Sequence, residues 1–218
     1  MKISDTSKQL LEAIAPQFEG HGFKLNKKAR EFSRKVNNCR QIFDLYFYKE
    51  RSHITIKPEI RIKVKEIEDI YRSVTKIDGR PFRTIGNHLF EILKYIDDGV
   101  EIVVEYNIYD WVVKDQMSLN KLIEVVPGYF EETILPYFEE NSSVSRVDEI
   151  LNKYPRELSI HNYLYPLRAN IAIIAAKLNK NPRYDELVVI YEEELQEAEE
   201  TYKEDFWGLK SLLSSDRL

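Results

Sequence analysis

The chain has 218 residues, 43% of them hydrophobic and 32% charged, with a formal net charge of −5. This is a globular composition with enough apolar side chains for a core, and no apolar run approaches the ~20 residues of a membrane helix. A single cysteine, Cys39, excludes an internal disulfide framework and a multi-cysteine zinc site.

The charge is uneven. Residues 1–65 carry 15 Lys/Arg against 7 Asp/Glu, and the remainder carries 17 against 30. Such a split marks either a surface for a charged partner or two halves that compensate each other. A sequence pI near 5.6 argues against a nucleic-acid-binding domain. The first residues lack the uninterrupted apolar stretch and cleavage pattern of a signal peptide, so a cytoplasmic protein without a membrane anchor is expected.

The chain opens on a helix. Thr6 and Gln9 have capping-box spacing, and Leu10, Leu11, Ile14 and Phe18 share one face. Pro16 is expected to kink or end this helix. Phe23 and Leu25 fit a short first strand. Arg30–Val36 and Cys39–Lys49 read as a hairpin around Asn37-Asn38. The second of these strands, apolar on both sides, reads as central and covered on both faces. The clearest signal is His53–Val64, where Ile54, Ile56, Ile60, Ile62 and Val64 alternate with polar residues. Pro58 places that strand at an edge or in a bulge.

A short helix is expected over Ile67–Val74 and a turn at Asp78–Pro81. Phe82–Ile96 fits either period and is read as strand. A turn at Asp97–Gly99 and an alternating strand over Ile102–Ile108 follow. Beyond Trp111 the pattern is helical. Ser118 is the expected N-cap, Pro127-Gly128 an expected interruption and Pro136 an expected kink. Two long helices close the chain. One carries Leu164 to Leu178; the other, after Asn181-Pro182, carries Val188, Tyr191, Leu195, Ala198 and Tyr202, with Asp205 breaking the stripe. A helical hairpin explains them better than a dimer seam; monomer and dimer both remain open.

The fold class is therefore α+β: an antiparallel sheet of four to six strands, an N-terminal helix, and a C-terminal helical layer ending in a helical hairpin. The reading is one domain, with residues 1–112 as helix plus sheet and 113–218 as helical region.

Familiar catalytic patterns are missing. There is no G-x-S-x-G elbow, G-x-G-x-x-G or Walker loop, and no H-E-x-x-H. Cys39 beside Arg40 reads as a core residue. His21, His53, His88 and His161 are scattered, and the carboxylate clusters Glu66/Glu68/Asp69 and Asp97/Asp98/Glu101 sit where helix starts and turns explain them. No cofactor and no metal is expected. Two charged surfaces remain as candidate partner-binding sites: Lys57, Arg61 and Lys63 on the wet face of the alternating strand, and Glu193, Glu197 and Glu200 on the last helix.

One resemblance is arguable from Gly22-Phe23-Lys24, Phe32-Ser33-Arg34, a strand with Gln41 and Phe43, Thr84-Ile85-Gly86, and Leu135-Pro136-Tyr137-Phe138. The succession resembles an uncharacterised bacterial domain-of-unknown-function family, over about residues 7–155. Some members look like immunity proteins beside polymorphic toxins, so the resemblance implies binding of a toxin and carries over no catalytic residue. The leading expectation is a non-enzymatic protein-binding protein, and the resemblance implies the immunity type. The alternatives are an enzyme with an unrecognised site between sheet and helices, and weak nucleic-acid binding through the basic strand face.

Overall fold

The computed structural model describes residues 1–76, 83–99 and 110–214. Helix α1 (Ile3–Gly20) buries Leu10, Leu11, Ile14 and Phe18 on one side. Its N-cap is Lys2, not Thr6: Thr6 lies within the first turns and its hydroxyl donates to the Lys2 carbonyl at 3.0 Å. Pro16 removes one amide but the helix continues to Gly20, held against the sheet by its apolar stripe.

Among the described residues the strands are β1 (Lys24–Asn26), β2 (Glu31–Val36), β3 (Cys39–Lys49), β4 (Ile54–Val64), β5 (Ile85–His88) and β6 (Trp111–Val113). They form one antiparallel sheet in the order β1-β2-β3-β4-β5, with β6 also on β4. Asn37, at φ 51°, turns β2 into β3 with Val36 opposite Cys39. On β4, residues 54–56 pair with β6 and 59–62 with β5. Ile62 and Val64 direct their backbone groups to Thr84, on the β5 side, whereas Lys65 bonds Asn38. By the alternation of the ladder, Pro58 would donate toward the β5 side, where it falls between the β6 and β5 pairings. The long strand thus tolerates its proline at a local edge.

β5 approaches β4 closely. Gly86 has φ 133°, its amide donates to the His161 carbonyl at 2.8 Å, and a Cβ there would overlap the Ile60 carbonyl. Only glycine fits such a site.

The inner sheet face carries Phe43, Leu45, Ile56, Ile60 and Ile62. Phe18, Phe23, Phe32, Phe43, Phe130 and Phe138 pack there, with ring centroids 4.0–6.0 Å apart. The outer face is polar, so β3 is not covered alike on both sides: Ile42 is buried, but Tyr46 and Tyr48 are exposed.

Helix α2 (Lys65–Val74) follows β4. Beyond β5 the chain enters α3 (Leu89–Asp98), which ends on Gly99 at φ 67°. Of the expected strand, the described residues 83–96 are strand at Ile85–His88 and helix from Leu89 onward. Leu89 and Ile92 are spaced for a buried helical face, which an apolar run of this length does not distinguish from a strand. The expected 78–81 turn and 102–108 strand lie outside the described residues.

Helix α4 (Gln116–Tyr129) is capped by Asp115, not Ser118. Ser118 is the N3 residue of a reciprocal capping box. Pro127-Gly128 does not interrupt it. A π-helical turn, Phe130–Ile134, joins α4 to α5 (Leu135–Asn141) and widens the ladder just before Pro136. Ser143 caps α6 (Val144–Asn152). Then come α7 (Tyr165–Leu178), α8 (Tyr184–Glu194) and α9 (Glu200–Ser214), the last two divided where one helix was expected. Residues 168–176 of α7 are all buried, as befits a helix apolar all round; it packs against α2, α6, α8 and α9. Sheet and helical layer contribute to one hydrophobic cluster. Among the described residues no helix is long and apolar enough to cross a membrane.

Candidate functional site

The register of β2, β3 and β4 assembles a charged cluster on the outer sheet face. Glu31 and Glu59 both stand opposite Asp44, and Arg61 stands opposite Ile42. Arg61 is buried and ion-paired to Asp44, with Glu31 at 3.7 Å. Arg40 donates to the other Glu31 oxygen at 2.8 Å. Glu59 sits between Arg83 at 3.4 Å and His88 Nδ1 at 3.6 Å. Asp44 is only 4% exposed. Burial pushes its carboxyl up to about 7 against the pull of Arg61, and Glu31 and Glu59 push the same way. Burial lowers His88, with Glu59 opposing.

Lys57, Arg61 and Lys63 share this face, as expected of one strand, but each has a carboxylate: Asp110 at 3.7 Å for Lys57, Asp44 and Glu31 for Arg61, and Glu68 at 3.3 Å for Lys63. Arg61, buried and bridging two acids, is a structural cation of the sheet.

The second surface lies on the last two helices. Glu193 and Glu194 hold Arg156, the first at 2.7 Å. Glu197 is exposed in the link between α8 and α9, and Glu200 pairs with Lys203 at 3.0 Å. In their midst Trp207 is 57% exposed. A hollow of about 600 Å³ bordered by Val74, Lys76 and Glu204 lies on one side of it. Another of about 230 Å³, bordered by Glu192, Leu195 and Phe206, lies on the other. The sequence reading missed Trp207, although a signal exists: it falls off the stripe of Tyr202, Leu209 and Leu213 that buries one face of α9.

Four residues singled out in the sequence, Phe23, Arg34, Gln41 and Phe138, meet in space. Arg34 stacks on the Phe23 ring at 4.7 Å and donates to Gln41 Oε1 at 2.6 Å and to the His21 carbonyl at 2.9 Å. Gln41 in turn donates to the Phe138 carbonyl at 2.9 Å and to Ser142 at 2.7 Å. They bolt α5 to the sheet. Cys39 is buried, its thiol donates to the Ser142 carbonyl, and burial raises its pKa, the opposite of an activated nucleophile. His161 is buried against the Tyr137 hydroxyl at 2.8 Å, and burial lowers it to about 3, so the ring is neutral. Among the described residues no three His, Cys, Asp or Glu side chains converge as metal ligands.

No family model matches the chain, and no curated protein or solved structure does.

Proposed function

We propose that this chain is a non-enzymatic protein-binding protein whose contact surface is the outer face of α8 and α9. The observation that carries the reading is Trp207, a large aromatic left more than half exposed between two hollows. Exposed aromatic side chains set in pockets are typical anchors of protein interfaces. The carboxylates around it, with Glu197 exposed and unmatched by any cation among the described residues, favour a basic partner. Likeness to a bacterial family with immunity-like members supports a toxin as that partner and inhibition as the outcome.

The test is capture from nuclease-treated lysate of the source cells, run in parallel with wild type, Trp207→Ala and the charge reversal Glu193→Lys/Glu197→Lys/Glu200→Lys. A stoichiometric protein held by wild type and lost by both variants supports the reading. Equal capture by all three, or no partner for wild type, overturns it.

The enzymatic alternative has one observation in its favour. Asp44 and Glu31 are two carboxyls bridged by Arg61, one of them titrating near neutrality, as a general acid–base pair would. On that reading the substrate meets the outer sheet face, and Asp44→Asn abolishes turnover of a substrate found by screening while leaving partner capture unchanged.

A further inference from the structure

The mouth of the β2–β3 hairpin and the start of α2 enclose a cleft of about 410 Å³. Its wall holds five cations, Lys35, Arg40, Lys63, Lys65 and Arg72, against one carboxylate, Glu68. Chain topology explains the convergence. Lys35 stands opposite Arg40, and Arg40 opposite Lys63, so three adjacent strands line up cations at one level of the sheet. β4 then runs directly into α2, which adds Lys65 and, two turns on, Arg72.

Like charges side by side repel, and the local carboxylates relieve this only in part. Arg40 has Glu31 and Lys65 has Asp69. Glu68 alone serves both Lys63 at 3.3 Å and Arg72 at 4.0 Å, and its Oε1 accepts no hydrogen bond. Lys35 is exposed and has no carboxylate within ion-pairing distance among the described residues. Glu66, next to Lys65 in the chain, is taken up by the Asn38 amide at 2.7 Å. The cleft therefore keeps a surplus of positive charge.

The geometry points to a binding site for a small phosphate-bearing anion, such as pyrophosphate or a nucleoside diphosphate. Two guanidinium forks, from Arg40 and Arg72, can grip phosphate oxygens bidentately while the lysines supply point charge. A volume of this size suits a small ligand. The site is remote in sequence from the α8–α9 surface and does not depend on it.

The test is isothermal titration of the intact chain at 50 mM salt, with inorganic pyrophosphate and, separately, ADP without magnesium. Saturable binding is expected that weakens steeply by 200 mM salt. Lys35→Gln/Arg72→Gln should weaken it at least tenfold, and Lys28→Gln, outside the cleft, should leave it unchanged. Tighter binding of ADP than of pyrophosphate identifies a nucleotide source; equal binding identifies the free phosphate. The single variant Lys35→Gln breaks no ion pair and should fold and melt like wild type, so a weaker titration in it reads the site alone. No heat with either probe at millimolar concentration, or binding that the cleft variants leave unchanged, overturns the proposal.

Discussion

Asp44 and His161 are both buried, and they titrate with opposite consequences. Burial raises Asp44 to about 7, so below that pH the Arg61 guanidinium faces a protonated carboxyl in the folded state and the ion pair is complete only above it, while the unfolded chain ionises from about pH 4. Its contribution is therefore lost as pH rises from about 4 to 7. His161, lowered to about 3, stays neutral while the unfolded chain protonates below about pH 6.5, so its contribution is lost as pH falls from 6.5 toward 3. One proton of difference corresponds to about 1.4 kcal/mol per pH unit, and between pH 4 and 6.5 the two slopes cancel. Asp44→Asn should unmask a stability that rises with pH across this window, and His161→Asn one that falls. Urea denaturation at half-unit steps of pH measures both; parallel curves for wild type and variants would show that neither group is held off its ordinary titration. Gly86 is the other residue whose chemistry is fixed by its surroundings. Gly86→Ala would drive a Cβ into the Ile60 carbonyl and should cost about 3 kcal/mol or more, whereas Gly20→Ala, with open space around it, should be tolerated in the same denaturation series.

At the scale of elements, α2 is tied to α9 by a polar contact within an apolar interface. Asp205 accepts from Tyr71 at 2.9 Å and from Thr75 at 2.7 Å. Asp205→Ala removes the acceptor of two hydroxyls and should cost about 3 kcal/mol; Asp205→Asn keeps one acceptor and should cost about half as much. Asp205 is also where the pattern of α9 was legible as a break but not as a purpose, because the partner hydroxyls lie more than a hundred residues away. Elements whose periodicity is set by a single covered face were readable, α1, the β2–β3 hairpin and the Ile54–Val64 alternation, and so was α7, a long apolar run buried on every side. What escaped was decided by tertiary contact. The short β5 owes its place to Gly86 against β4, and α3 begins at the next turn without a change in composition. Pro127 is tolerated inside α4, and Pro136 stands just past the π-turn at the start of α5. The charged surfaces were visible as residues, but pairing was not: Arg61 looks like a free cation in sequence and proves to be enclosed by Asp44 and Glu31, while Trp207, unremarked in the pattern, is left more than half exposed.

At the scale of the molecule the question is whether the sheet and the helical layer unfold together. The sequence expectation sets a boundary near residue 155, with the later helices as an addition. The contacts argue otherwise. α7 packs against α2, and Arg168, 1% exposed, donates to the carbonyls of Leu151 and Tyr154 at 2.8 and 2.7 Å, where α6 ends. Removing α7 to α9 would strip those carbonyls of their donor and uncover Ile67 and Tyr71. The two tryptophans are placed to test this. Trp111, buried on β6, reports the sheet, and Trp207, on α9, reports the helical layer. In Trp207→Phe the fluorescence of Trp111, and in Trp111→Phe that of Trp207, should change at the same urea midpoint as the far-ultraviolet circular dichroism of the same variant, the mark of one cooperative unit. Each variant serves as its own reference, so any stability lost with the replaced ring drops out. A Trp207 transition that precedes the dichroism would divide the chain into two independently folding parts and make the acidic helical layer a separable module.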